Sequence, residues 1–141
     1  MVVNPAPERG QGSSLRSGLE RLSSAARGFL IYPVDHPLVT GADLARLIEA
    51  YVDAGNLSDG EPPHVVAPSF NHRRGHPVLV SARLVPALLA LTADQSPREV
   101  LAAPTVRTAY VDFDDDRVLR DMDTPEAYAE CLRRYSHSSA P

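Results

Sequence analysis

The sequence predicts an α/β sandwich built on a mostly parallel sheet. Short apolar runs, Phe29–Tyr32, Val65–Ala67 and Thr105–Phe113, alternate with segments whose apolar residues recur at helical spacing. The chain has 141 residues, 43% of them hydrophobic, enough for one core without disulfide or metal staples. Its apolar runs fall far short of the roughly 18 residues of a membrane span, and no basic-then-apolar leader pattern opens it. The expectation is a cytoplasmic protein.

Residues Met1–Gly12, rich in Pro, Gly and Arg, read as loop. Ser14 caps a helix through Leu15, Leu19, Leu22 and Ala26 that Gly28 ends, and Phe29–Tyr32 follows as a strand covered on both faces. Thr40-Gly41-Ala42-Asp43 is a capping-box variant opening a helix through Leu44, Leu47, Ile48, Tyr51 and Val52. After the Asn56–Pro63 connection comes a short strand, Val65–Ala67, then a loop over Ser69–Pro77 and a helix from Ser81 to Leu91 with Pro86 near its first turn. Ser96-Pro97-Arg98-Glu99 starts another helix. Thr105–Phe113 is a strand, and Arg117–Arg120 returns as an antiparallel edge. Thr124-Pro125 opens the last helix, with Tyr128, Leu132 and Tyr135 inward and Ser136–Pro141 a disordered tail.

The formal charge of −4 argues against nucleic acid as the main partner. All 14 basic residues are arginine, so no mechanism requiring lysine can be completed by this chain. Cys131 cannot form an intramolecular disulfide and reads as a packing residue. No HxxxH, CxxC, GxSxG, P-loop or GxGxxG pattern occurs, which removes the common zinc, redox, serine-hydrolase and Rossmann readings.

Three places can carry chemistry. Asp35, after the first strand, either holds a divalent cation or accepts backbone N–H groups in the turn before the next helix. Asp121 and Asp123, at i and i+2, either share a cation or cap the last helix. The loop Arg73-Arg74-Gly75-His76-Pro77 either receives an anion such as a phosphate ester or is plain surface. The acid run Asp112–Asp116 reads as a solvated turn.

In order and approximate spacing, Asn4-Pro5, Gly10–Gly18 (GQGSSLRSG), Pro33–Pro37 (PVDHP), Arg74–Leu79 (RGHPVL) and Asp121–Pro125 (DMDTP) resemble the MobA-like nucleotidyltransferases, which include the molybdenum-cofactor cytidylyl- and guanylyltransferases. The resemblance implies a three-layer sandwich of the nucleotide-diphospho-sugar-transferase type. It also implies a Mg²⁺-dependent transfer from an NTP, CTP first, to a phosphorylated small molecule such as molybdopterin. Asp35 then resembles the catalytic metal-binding acid, with Asp123 as a second metal carboxylate. Gly12, Ser13 and Ser14 resemble the loop at the active-site rim, and Arg74, Gly75 and His76 the acceptor-side loop. Nothing here corresponds to the family's opening LAAGxSxRMGxxK segment, so residues 1–135 read as the carboxyl-terminal portion of one domain. Of the family strand order 3-2-1-4-6-5-7 the part 4-6-5-7 remains, with Phe29–Tyr32 as an exposed edge open to a second copy or a partner. A non-catalytic remnant or interaction module is the alternative, and a metal-dependent phosphoesterase a third.

Overall fold

The computed structural model describes residues 1–56, 62–92 and 95–138, so residues 57–61 of the Asn56–Pro63 connection, 93–94, and 139–141 of the tail lie outside it. Its elements are α1 (Gln11–Leu19), β1 (Gly28–Ile31), α2 (Gly41–Asn56), β2 (Val65–Phe70), β3 (Arg73–Arg74), β4 (Val78–Ser81), α3 (Val85–Leu89), α4 (Pro97–Leu101), β5 (Thr108–Asp112) and α5 (Pro125–Ser138). Short 3₁₀ turns cover Pro7–Arg9, Ala82–Leu84 and Asp116–Leu119.

The sheet is mixed and runs β1-β4-β2-β5, with β3 continuing beside the end of β2. β1 and β2 each pair antiparallel with β4, and β2 pairs parallel with β5, so β1, β2 and β5 share one direction. This is the order expected from the family resemblance. The outer side of β1 pairs with no strand among the described residues, and beside it lies a groove of about 510 Å³ between Leu30, Leu79, Ile48 and Val52.

Side-chain alternation splits the core in two. On one face Val65, Ala67, Val78 and Val80 pack with Leu19, Leu88 and Leu101 of α1, α3 and α4. On the other, Val66 and Leu79 pack with Leu47 and Tyr51 of α2 and with Phe113 and Val118. Helices on both faces make the three-layer sandwich. The capping box of α2 is reciprocal: the Thr40 N–H donates to Asp43 Oδ2 at 2.8 Å, and the Asp43 N–H to Thr40 Oγ1 at 3.3 Å.

Several local expectations change. Val78–Val80, given to no element between the Ser69–Pro77 loop and the helix expected from Ser81, forms a central strand with Ser81, which also caps the next turn, and Pro86 is tolerated because it falls in the first turn of α3. β2 extends through Pro68 to Phe70 and turns back at Asn71 and His72, both with positive φ, the geometry of a two-residue hairpin turn. Arg117–Arg120 forms no strand: Asp115 accepts the Arg117 N–H and Val118 is fully buried, which winds the segment into a 3₁₀ turn. α1 starts at Gln11 and stops at Leu19, before Leu22. α5 reaches Ser138, so the first part of the expected tail is helical. Its buried contact is Cys131, while Tyr128, Leu132 and Tyr135 are exposed, and Arg134 reaches from the Cys131 side to Asp116.

Candidate functional site

The parallel strands β1, β2 and β5 end at one edge of the sheet, where α/β proteins collect ligands. Beyond β1 the chain enters Pro33–Pro37 and is held there by Tyr32, whose hydroxyl donates to the carbonyls of His36 at 3.0 Å and Val39 at 3.3 Å. Burial and the nearby Asp43 carboxylate raise the Tyr32 pKa, which keeps this hydroxyl a donor.

Asp35 does not cap. Capping of α2 falls to Thr40 and Asp43, and Asp35 Oδ1 is a buried acceptor with no hydrogen-bond donor. His36 Nε2 lies 3.8 Å from it, too far for a hydrogen bond. His36 is 7% exposed, and its Nδ1 is also buried without a partner. The His36 ring lies 5.0 Å from that of His76, tilted by 49°, and His76 Nδ1 is the third such unpartnered atom. Such atoms are costly unless a ligand or solvent satisfies them, and three of them adjoin one another.

His76 arrives on a bulged hairpin. From Ser69↔Arg74 to Val66↔Leu79 the returning chain takes five steps against three on β2, so two extra residues are accommodated within Gly75-His76-Pro77, with a cis His76–Pro77 peptide. The Gly75 N–H donates to Pro68 O and the His76 N–H to Val118 O, both at 2.8 Å. Burial lowers the His76 pKa, and the charges of His36, Arg74 and Arg98 add to that against the opposing Asp35 carboxylate. Because the native state then binds fewer protons than the unfolded chain, stability is full above the ordinary imidazole value of 6.5 and falls as pH drops below it. Urea unfolding from pH 8 to 5 should show that loss, and the His76→Asn variant should show less of it.

Arg74 is exposed, yet partial desolvation still lowers its pKa, opposed by Tyr110 and reinforced by Arg98. Arg74 and Asp112 both stand opposite the buried Ser69, and Tyr110, 58% exposed, lies two residues earlier on the same face of β5. Thus Asp35, Arg74 and His76 come to one place, and Gly75 lets the backbone through.

The other expected residues stand apart. Ser13 and Ser14 lie inside α1, where their hydroxyls accept from the Asn4 side-chain amide at 2.8 and 3.0 Å, and Ser13 Oγ donates to Gly10 O. The two serines fasten the amino-terminal segment to the helix, and Gly12 lies beside them in its first turn. Asp123 is exposed ahead of α5, and Thr124 rather than Asp123 caps that helix by accepting the Ala127 N–H. Among the described residues no group of three His, Cys, Asp or Glu side chains is gathered as a ready metal cluster. Asp35 Oδ1 nonetheless fits one oxygen ligand of a hard cation, being a buried acceptor with no donor.

Arg98 and Tyr110 were not singled out from the sequence. Ser96-Pro97-Arg98-Glu99 reads as a helix start and does form a capping box, and nothing in that pattern sets Arg98 apart. Tyr110 left a signal: Thr108, Tyr110 and Asp112 alternate with Ala109 and Val111, and an aromatic on the more polar face of a strand is unusual.

A mixed sheet with helices on both faces, and a lone carboxylate after its first strand, defines an α/β domain of the nucleotidyltransferase-like class. The sequence profile of the MobA-like NTP transferase domain matches residues 1–109, and the chain belongs to that family. Among solved structures, Rv0371c from Mycobacterium tuberculosis H37Rv is 26% identical, with a TM-score of 0.66 over 87% of this chain and 60% of that one. A structure of Rv0371c in complex with manganese is also 26% identical, with a TM-score of 0.63 over 85% of this chain and 60% of that one. The Rv0371c homolog from Mycobacterium sp. strain JC1, at 20% identity, shares the fold, with a TM-score of 0.69 over 92% of this chain and 60% of that one. The chain therefore spans 60% of the length of each of these structures. No curated protein matches it. No helix among the described residues is long and apolar enough to cross a membrane.

Proposed function

We propose that this chain is the acceptor-side portion of a divalent-metal-dependent nucleotidyltransferase that moves a nucleotidyl group from an NTP, CTP first, to a phosphorylated small molecule such as molybdopterin. One observation carries the reading: in a chain of this family, Asp35 Oδ1 sits after β1 as a buried acceptor without a donor. Asp35 would hold the cation, Mg²⁺ in the first instance, with Asp123 as the candidate second carboxylate. The manganese complex of a 26% identical protein supports a divalent ion. When bound, such an ion offsets triphosphate charge during attack on the α-phosphorus.

The chain's own residues supply the rest. Tyr32 fixes the Pro33–Pro37 turn and so the direction of Asp35. Gly75 brings the backbone against Val118 and presents Arg74 and His76 to the acceptor. The buried His36 packs beside Asp35, its Nε2 3.8 Å from Asp35 Oδ1. Gly12, Ser13 and Ser14 brace the rim through Asn4.

Calorimetric titration with CTP, GTP and ATP, each with Mg²⁺ or Mn²⁺, tests the reading. Saturable, metal-dependent binding with CTP strongest is expected, and no binding of any nucleotide would overturn it. The unpaired edge of β1 favours a second reading, an interaction module completed by a second copy of the chain. Sedimentation velocity should then show a concentration-dependent dimer, and a monomer throughout removes that reading.

A further inference from the structure

We infer that Arg117 is a positioning residue for the candidate site: from one 3₁₀ turn it fixes the two arms of the chain that bring Asp35 and His76 together. The inference rests on the nucleotidyltransferase reading only for the cation that Asp35 would hold. The contacts themselves stand without it. Arg117 lies past residue 109, outside the stretch shared with the family.

The first arm runs to Asp35. Arg117 Nη1 donates to Asp43 Oδ1 at 3.4 Å, and the Asp43 side chain is only 5% exposed. The other carboxylate oxygen, Oδ2, accepts the Thr40 N–H at 2.8 Å and the Thr40 hydroxyl at 2.9 Å. Val39, the residue before Thr40, accepts at its carbonyl from the Tyr32 hydroxyl, and that hydroxyl also holds His36 O. The turn that carries Asp35 is thus anchored at its far end by Asp43, and Asp43 by Arg117.

The second arm runs to His76. Val118, the neighbour of Arg117, is fully buried, and its carbonyl accepts the His76 N–H at 2.8 Å. Gly75 lies so close to Val118 that no side chain fits between them. A displacement of the 3₁₀ turn therefore reaches His76 through a short, stiff path. The two arms meet where the His36 and His76 rings lie 5.0 Å apart.

Apolar packing does not replace this tie. Val118 packs with Leu47, one turn further along α2, whereas Asp43 stands in the first turn, next to the segment that carries Asp35. The guanidinium is itself held in place: its Nε donates to Asp115 Oδ1 at 2.8 Å while Nη1 reaches Asp43, a use of the planar fork that no point charge can copy. A buried carboxylate deprived of its cation is costly, and moving the first turn of α2 toward water is what relieves that cost. A site group is only as well placed as the residues that lock its support.

The test is nuclear magnetic resonance on the full chain, with Mn²⁺ binding measured alongside. In the wild type a nuclear Overhauser effect should connect the His36 and His76 rings. Arg117→Gln should lose it, and Mn²⁺ affinity in the presence of CTP should fall about tenfold or more, the loss seen when a group that orients a metal ligand from behind is removed. Arg16→Gln, which cuts a different tie between elements, from α1 to Leu91 O, should keep both. Should Arg117→Gln fail to fold by circular dichroism, the double variant Arg117→Gln/Asp43→Asn carries the same test, since it leaves no buried carboxylate unpaired. A folded variant that keeps the inter-ring effect, whatever its stability, overturns the inference, as does absence of that effect in the wild type. If the wild type binds no Mn²⁺ with CTP while Arg117→Gln loses the inter-ring effect, the positioning role stands and only the nucleotidyltransferase reading falls.

Discussion

Replacing Gly75 with alanine is expected to destabilise the fold by about 1–3 kcal/mol or more, the cost of overpacking a well-packed interior. A Cβ at Gly75 would sit 2.8 Å from the Val118 carbonyl carbon and 2.9 Å from Val118 Cγ2, with the Val118 oxygen nearer still. Backbone cannot swing aside as a flexible side chain can. The Gly75 N–H to Pro68 O and His76 N–H to Val118 O bonds hold both sides of the contact in place. Urea unfolding would show a lower midpoint. A Gly75→Ala variant with wild-type stability would mean that the contact relaxes at little cost. Gly41 is the control: nothing lies within 4 Å of a Cβ there, so Gly41→Ala should not destabilise.

Much of the framework was legible because its signals are local. The Thr40–Asp43 box and the recurrence of Leu44, Leu47 and Tyr51 predict α2, and the Phe29–Tyr32 run predicts β1. What escaped depends on contacts distant in sequence. Val78–Val80 follows a proline and falls between the expected loop and helix, and its strand character comes from lying between β1 and β2. The stripe Tyr128, Leu132 and Tyr135 has helical spacing that implies burial, but the side that packs is the one carrying Cys131, with Arg134 reaching Asp116, eighteen positions earlier. The site divides in the same way. Asp35 was visible as an acid after an apolar run, but only the three-dimensional structure separates it from capping and seats it near His76. Arg98 could not be placed from its neighbours at all. Its charge is felt at Arg74 and His76, far from it in sequence.

Asp35→Asn should have the largest effect on function and almost none on the fold. Its Oδ1 accepts no hydrogen bond, so the amide removes charge without breaking a contact, and stability should stay within about 0.5 kcal/mol. If Asp35 is the metal-side carboxylate, metal-dependent nucleotidyl transfer should fall at least about 100-fold, as when one preorganised electrostatic group is removed. Loss of that activity together with stability would instead make Asp35 structural.

The most direct test is electron paramagnetic resonance of Mn²⁺ with CTP, comparing the wild-type chain with Asp35→Asn. The wild type should deplete the free Mn²⁺ signal beyond what CTP alone achieves, and the variant should restore it to the level of CTP alone. Equal depletion by the two proteins would place the cation away from Asp35 and contradict the proposed site.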